Sequence, residues 1–122
     1  MKLTNRQMDE YCYILRQVSP KTTGKLAFII AKNIRLLSQE LIEYQKYKDN
    51  AIMTYGVQGE NGTYSLNVNS SEFKKYIEEM KQYDDIESDV PIIMADPEDV
   101  YSQESLKGDD MFQILFMVND ES

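Results

Sequence analysis

Lys25-Leu26-Ala27-Phe28-Ile29-Ile30-Ala31-Lys32-Asn33-Ile34-Arg35-Leu36-Leu37 opens the segment that decides the fold. From Leu26 a stripe runs through Ile30, Ile34, Leu37, Leu41, Tyr44, Lys48, Ala51 and Tyr55, in steps of mostly four and three. That is the spacing of one helix face, close to the coiled-coil period of about 3.5 residues. Ile29, Leu36 and Ile42 widen the stripe over its first two-thirds. The pattern predicts one long helix from about Lys25 to about Tyr55. About 30 residues of helix reach roughly 45 Å, which is longer than a compact chain of this size needs. The helix therefore either breaks near Asp49-Asn50 or offers a surface to a partner.

Upstream, Thr4-Asn5-Arg6-Gln7 is a capping-box pattern with Leu3 and Met8 placed as its hydrophobic staple. Met8, Tyr11, Cys12, Leu15 and Val18 form one apolar face, and Ser19-Pro20 ends it, because proline disfavours helix at the preceding residue. Downstream, Gly56, Gly59, Asn61 and Gly62 mark a turn-rich loop, and Thr63 to Val68 alternates as an exposed strand does. Asn69-Ser70-Ser71-Glu72 resembles a second capping box, opening a helix with Phe73, Tyr76, Ile77 and Met80.

Asp84 to Asp89 reads as acidic loop, Val90 to Met94 as a short strand, and Asp96-Pro97-Glu98-Asp99 as a turn. Met111 to Val118 is ambiguous by period, with helix favoured and Asp109 as its cap. The expected architecture is a helix-dominated α+β fold, one domain over 1–122. It comprises a short N-terminal helix, one long helix, one or two C-terminal helices and a small antiparallel sheet.

Composition narrows the chemistry. The chain of 122 residues has 13 Lys+Arg against 21 Asp+Glu, no histidine and one cysteine. Without histidine there is no Ser-His-Asp or Cys-His relay and no imidazole ligand. Cys12 alone makes neither an internal disulfide nor a thiolate zinc cluster, and is read as a small buried hydrophobe. No phosphate-cradling glycine loop is present, and the acids lack the spacing and glycine of a calcium loop. The expectation is a non-enzyme with no catalytic residues, no metal site and no cofactor. A net charge of -8 speaks against direct binding of duplex DNA. No apolar run approaches the roughly 20 residues of a membrane span, and no signal-peptide pattern opens the chain, so a cytoplasmic protein is expected.

The net charge hides a division. Residues 1–61 hold nine bases and six acids, whereas 62–122 hold four bases and fifteen acids. From Asp84 to Glu104 eight acids occur without a base. Such a block can steer a basic partner, or can simply keep a solvated face soluble. Among the nine tyrosines, Tyr11, Tyr44 and Tyr76 fall on apolar stripes, while Tyr13, Tyr47 and Tyr83 fall off them or at helix ends. Off-stripe tyrosines suit an interface, offering area with a polar tip. The candidate partner-binding residues are Asp84, Asp85, Glu87, Asp89, Asp96, Glu98, Asp99, Tyr47 and Tyr83.

Met1-Lys2-Leu3-Thr4-Asn5-Arg6-Gln7, the long helix after Lys25-Leu26 and the close at Phe116-Met117-Val118-Asn119-Asp120 together resemble a known group. They are similar to small acidic proteins of phages and prophages of low-GC Gram-positive bacteria. The shared features are caps and core patterns, so no residue role comes with the resemblance. What it implies is a protein of the host cytoplasm that binds and modulates a host protein with a basic surface, an inhibitor of a host defence system being one such case. A phage assembly factor or chaperone that self-associates through the long helix is the second reading. A protein that sequesters a small ligand such as a nucleotide is the third.

Overall fold

The structure is a computed structural model and describes residues 1–119, so Asp120 in the acidic close lies outside the described residues. It is a helix-dominated α+β fold. In chain order the elements are β1 (Lys2–Thr4), α1 (Asn5–Val18), α2 (Gly24–Glu40), α3 (Ile42–Tyr55), β2 (Val57–Gln58), β3 (Tyr64–Ser65), α4 (Ser71–Asp84), β4 (Glu87–Asp89), α5 (Pro97–Tyr101) and α6 (Gly108–Gln113). Short 3-10 turns follow α1 and α6. No helix among the described residues is long and apolar enough to cross a membrane.

The α1 cap forms as its residues dictate. Thr4 Oγ1 accepts the Gln7 N–H at 3.1 Å while Gln7 Oε1 accepts the Thr4 N–H at 2.9 Å. Leu3 and Met8 are both buried beside it. Met8, Cys12, Leu15 and Val18 form the buried face, and Tyr11 stacks on Phe116 with ring centroids 3.8 Å apart. In α4 the cap is Ser70 rather than Asn69, its hydroxyl accepting the Phe73 N–H at 3.2 Å.

The long helical run is divided, and the division falls at Leu41 rather than near Asp49-Asn50. Leu41 has ψ -2, well short of the helical value, yet stays 2% exposed. The interruption lies where the run changes partner, since α2 packs on α1 and α3 packs on α4. Each half can then present its own stripe: Leu26, Ile29, Ile30, Asn33 and Leu37 in α2, Tyr44 and Ala51 in α3. Phe28, Ile42 and Met53 are left exposed along the run.

Two small antiparallel sheets complete the fold. One pairs β1 with β4, Leu3 opposite Ser88. The other is the β2–β3 hairpin, closed through Gly62 at φ +81. The strand expected over Thr63 to Val68 thus shrinks to Tyr64–Ser65. The one expected over Val90 to Met94 lies earlier, at Glu87–Asp89, inside the stretch read as loop. Pro91 has no N–H for a ladder, and the segment is fixed otherwise. Asn33, buried in α2, donates from Nδ2 to the Ile93 carbonyl at 2.9 Å and accepts the Ile93 N–H on Oδ1 at 2.8 Å. Ala95 then makes an isolated parallel bridge with Val118.

Asp96-Pro97-Glu98-Asp99 is the start of α5, with proline in the first turn where its missing N–H costs nothing. The C-terminal run is helical to Gln113 and continues as a 3-10 turn at Leu115–Met117. Its cap position is Lys107 rather than Asp109, and Asp110 accepts the Lys107 N–H at 3.1 Å.

Candidate functional site

The β1–β4 ladder brings the start of α1 to the end of α4. Asn5 donates from its backbone N–H to the Ile86 carbonyl at 3.1 Å and from Nδ2 to the Tyr83 carbonyl at 2.9 Å. The second of these adds to the backbone N–H groups of Asp85 and Ile86 that already meet the Tyr83 carbonyl at the end of α4. Helix α3 lies against the same end of α4, so residues from three distant segments meet there.

At their junction Asp84 is held from two sides. Tyr44 Oη donates to its Oδ1 at 2.7 Å and Arg6 Nη2 to its Oδ2 at 3.0 Å. The bond to Asp84 and its charge raise the Arg6 guanidinium above its ordinary range. Burial, and then the bond to Asp84, push the Tyr44 phenol up as well. A second carboxylate, Asp9, accepts from Lys48 Nζ and from Gln45 Nε2, each at 2.8 Å. Burial draws the Lys48 ammonium down, but the bond to Asp9 and its charge outweigh that and leave it raised. The Tyr76 phenol is raised by burial first.

Outside this junction lies the candidate face. Tyr47 on α3 and Tyr83 on α4 stand with ring centroids 4.9 Å apart and planes tilted by 36°. Tyr47 remains 48% exposed. Asp85, Ile86 and Glu87 follow Tyr83 along the chain and are all exposed. Asp85 and Glu87 have no ion-pair partner among the described residues. Two tyrosines singled out on separate helices are therefore neighbours, and the first part of the acidic block continues from one of them.

The rest of the block is arranged differently. Asp89 faces the amino group of Met1 at 2.9 Å, and Asp96 and Asp99 share Lys25 Nζ at 3.6 and 3.7 Å. The stretch that contains no base is thus partly neutralised by bases of the first half. Its members are also spread along the fold: Asp84 to Asp89 at the α4–β4 end, Asp96, Glu98 and Asp99 at the start of α5, which packs against α2, and Glu104 in the segment after α5.

Tyr13, 66% exposed, borders a separate cleft of about 310 Å³ beside the Leu41 interruption. Asp9, Cys12, Arg16, Ser38 and Gln45 also line it. Cys12 is buried there with Sγ 3.6 Å from Ser38 Oγ, and Arg16 donates to the same hydroxyl at 3.0 Å. No group of three or more Cys, Asp or Glu side chains among the described residues is placed to hold a metal ion.

The Asp9–Lys48 and Tyr44–Asp84 contacts lie outside the sequence reading. Lys48 carried a signal, since a charge on an apolar stripe must find a partner when it is buried. Nothing in the chain marks Tyr44 as a donor, because its place on the stripe is the place of a core residue. Comparison with protein-family models, curated proteins and solved structures yields no match.

Proposed function

We propose that the protein acts by contact rather than by chemistry, binding another protein through the face made by Tyr47, Tyr83, Asp85 and Glu87. The observation that supports this reading is the Tyr47–Tyr83 pair, half open to solvent and continued by carboxylates that have no ion-pair partner among the described residues. Paired aromatic rings are held with little rotamer freedom and supply contact area at small entropic cost. Carboxylates beside them favour a partner carrying Lys and Arg, whose guanidinium groups can pair with Asp85 or Glu87 and lie over a ring. In the phage setting that the resemblance implies, the partner is a host protein with a basic surface. A host defence protein whose groove is built for nucleic acid fits that chemistry, with carboxylates standing where phosphates would lie.

The test is capture from host lysate at low and at moderate salt, with the native chain, Tyr47→Ala and the Asp85→Lys/Glu87→Lys pair side by side. A specific partner, weakened by both variants and by salt, is expected. Recovery of no specific partner, or equal capture by all three chains, would overturn the reading. Exposed Phe28, Ile42 and Met53 favour a second reading, self-association along the α2–α3 run. Sedimentation separates the two, because only self-association gives a concentration-dependent oligomer of the pure protein.

A further inference from the structure

Lys32 and Arg35 stand three residues apart on α2 and, among the described residues, neither takes part in an ion pair. In a chain with 21 acids and 13 bases, most of whose other bases are paired, two adjacent unpaired cations are an exception. Together with Leu36, Pro91 and Ile93 they line an open recess of about 280 Å³. No acid lines it.

Its walls are held in place. The two bonds from Asn33 fix Ile93 against α2, and Lys32 Nζ sits 5.4 Å from the centroid of the Phe28 ring. Those same bonds occupy both backbone groups of Ile93, and Pro91 has no N–H to offer. Of the residues that line the recess, Lys32 and Arg35 bring the charged hydrogen-bond donors, and Leu36, Pro91 and Ile93 bring aliphatic surface. A nucleobase or a sugar would set several of its polar groups against mostly aliphatic surface, at a cost in lost hydration. A hydrocarbon body carries no such cost.

We propose that this recess binds a small apolar carboxylate, its hydrocarbon body against Leu36, Pro91 and Ile93 and its carboxylate between Arg35 and Lys32. Charge complementarity selects the head group, because a guanidinium presents a fork that matches a carboxylate. The volume limits the body to a short chain or a single ring, near the lower end of ligand-pocket sizes. The site is independent of the Tyr47–Tyr83 face.

The test is a titration of the ¹⁵N-labelled full chain with octanoate, followed by amide shifts, beside 1-octanol and acetate as the two halves of the ligand. Saturable shifts centred on Lys32, Arg35, Leu36 and Ile93 are expected, with octanol and acetate each about tenfold weaker or more. Shortening the chain is expected to cost about fourfold per buried methylene lost. Arg35→Gln, at an exposed position, should weaken octanoate about tenfold while leaving the rest of the spectrum in place. Shifts that do not saturate or that centre elsewhere would overturn the proposal. So would octanol or acetate matching octanoate, or an Arg35→Gln chain that binds as the native one does.

Discussion

Asn33 and Ile93 are joined by a reciprocal pair of hydrogen bonds, 2.9 Å from the amide to the carbonyl and 2.8 Å from the backbone N–H to the amide oxygen. One side chain in the middle of a helix thus supplies what a neighbouring strand would have supplied. Asn33 is 0% exposed, so its amide has no route to water. Replacing it with Leu, a residue of similar size, leaves both Ile93 groups without their partner. Asn33→Leu is expected to lose about 2–4 kcal/mol in urea unfolding, despite adding apolar surface to the core.

The Tyr44–Asp84 bond carries a pH signature. A phenol whose folded pKa is raised above its ordinary 10.0 keeps its proton in the folded state after the unfolded chain has lost it. The stabilisation is complete below pH 10 and declines as pH climbs past it, by about 1.4 kcal/mol per pH unit for one such group. At neutral pH, Tyr44→Phe is expected to cost about 1.5–3 kcal/mol, because the bond it removes ends on a charge. Above pH 10 the gap between the native chain and Tyr44→Phe should close. Unfolding curves at pH 8, 10 and 11 check this, and a constant gap would contradict it.

Asp9 and Lys48 should respond unequally to truncation. Lys48 is half-buried between Tyr44 and Ala51 on the stripe, and its ion pair with Asp9 at 2.8 Å offsets the cost of burying its ammonium. Lys48→Met keeps the stem's packing and frees the carboxylate toward solvent, so stability should stay within about 1 kcal/mol of native. Asp9→Ala instead strands a partly buried ammonium and should cost about 1–2 kcal/mol more than Lys48→Met. Chemical denaturation of the two variants decides the order.

Gly56 joins α3 to the hairpin where a side chain has no room. A Cβ there would stand 2.5 Å from the Ile52 carbonyl oxygen and 2.8 Å from that of Ser65, both backbone atoms. Gly56→Ala is therefore expected to lower the melting temperature by several degrees, corresponding to about 1–3 kcal/mol. The change at Gly108, where an added Cβ meets nothing within 4 Å, is the control and should leave it nearly unchanged.

What could be read from the chain follows the distance over which each feature is set. The Thr4–Gln7 box, the α1 face and the helical character of 24–55 depend on residues within a turn or two of one another, and they were legible. The interruption at Leu41 was not, because the 4-3 step continues through it and only the change of partner from α1 to α4 requires it. The β1–β4 pairing was equally hidden: Lys2–Thr4 carries no strand pattern of its own and finds its register on residues 87–89. At the candidate site, the exposure of Tyr47 followed from its place off the stripe. That Tyr83 would lie beside it depends on how α3 and α4 pack. The acidic block was visible as composition, yet its partial neutralisation by Arg6 and Lys25 is a property of the folded chain alone.

That pairing across the chain has a consequence for biosynthesis. Arg6 meets Asp84, and Lys21 meets Asp110 across a separation of 89 residues. While the chain is still leaving the ribosome, α1 and α2 can pack on each other, but β1 remains an unpaired edge until residue 87 has emerged. During that interval the segment comprising α1 and α2 is mildly basic, and the acids of residues 84–104 emerge only after it. Closure of the two ends is thus a late, long-range step of the kind that slows folding. The two halves of these 122 residues thus present opposite electrostatic characters to their surroundings as each emerges.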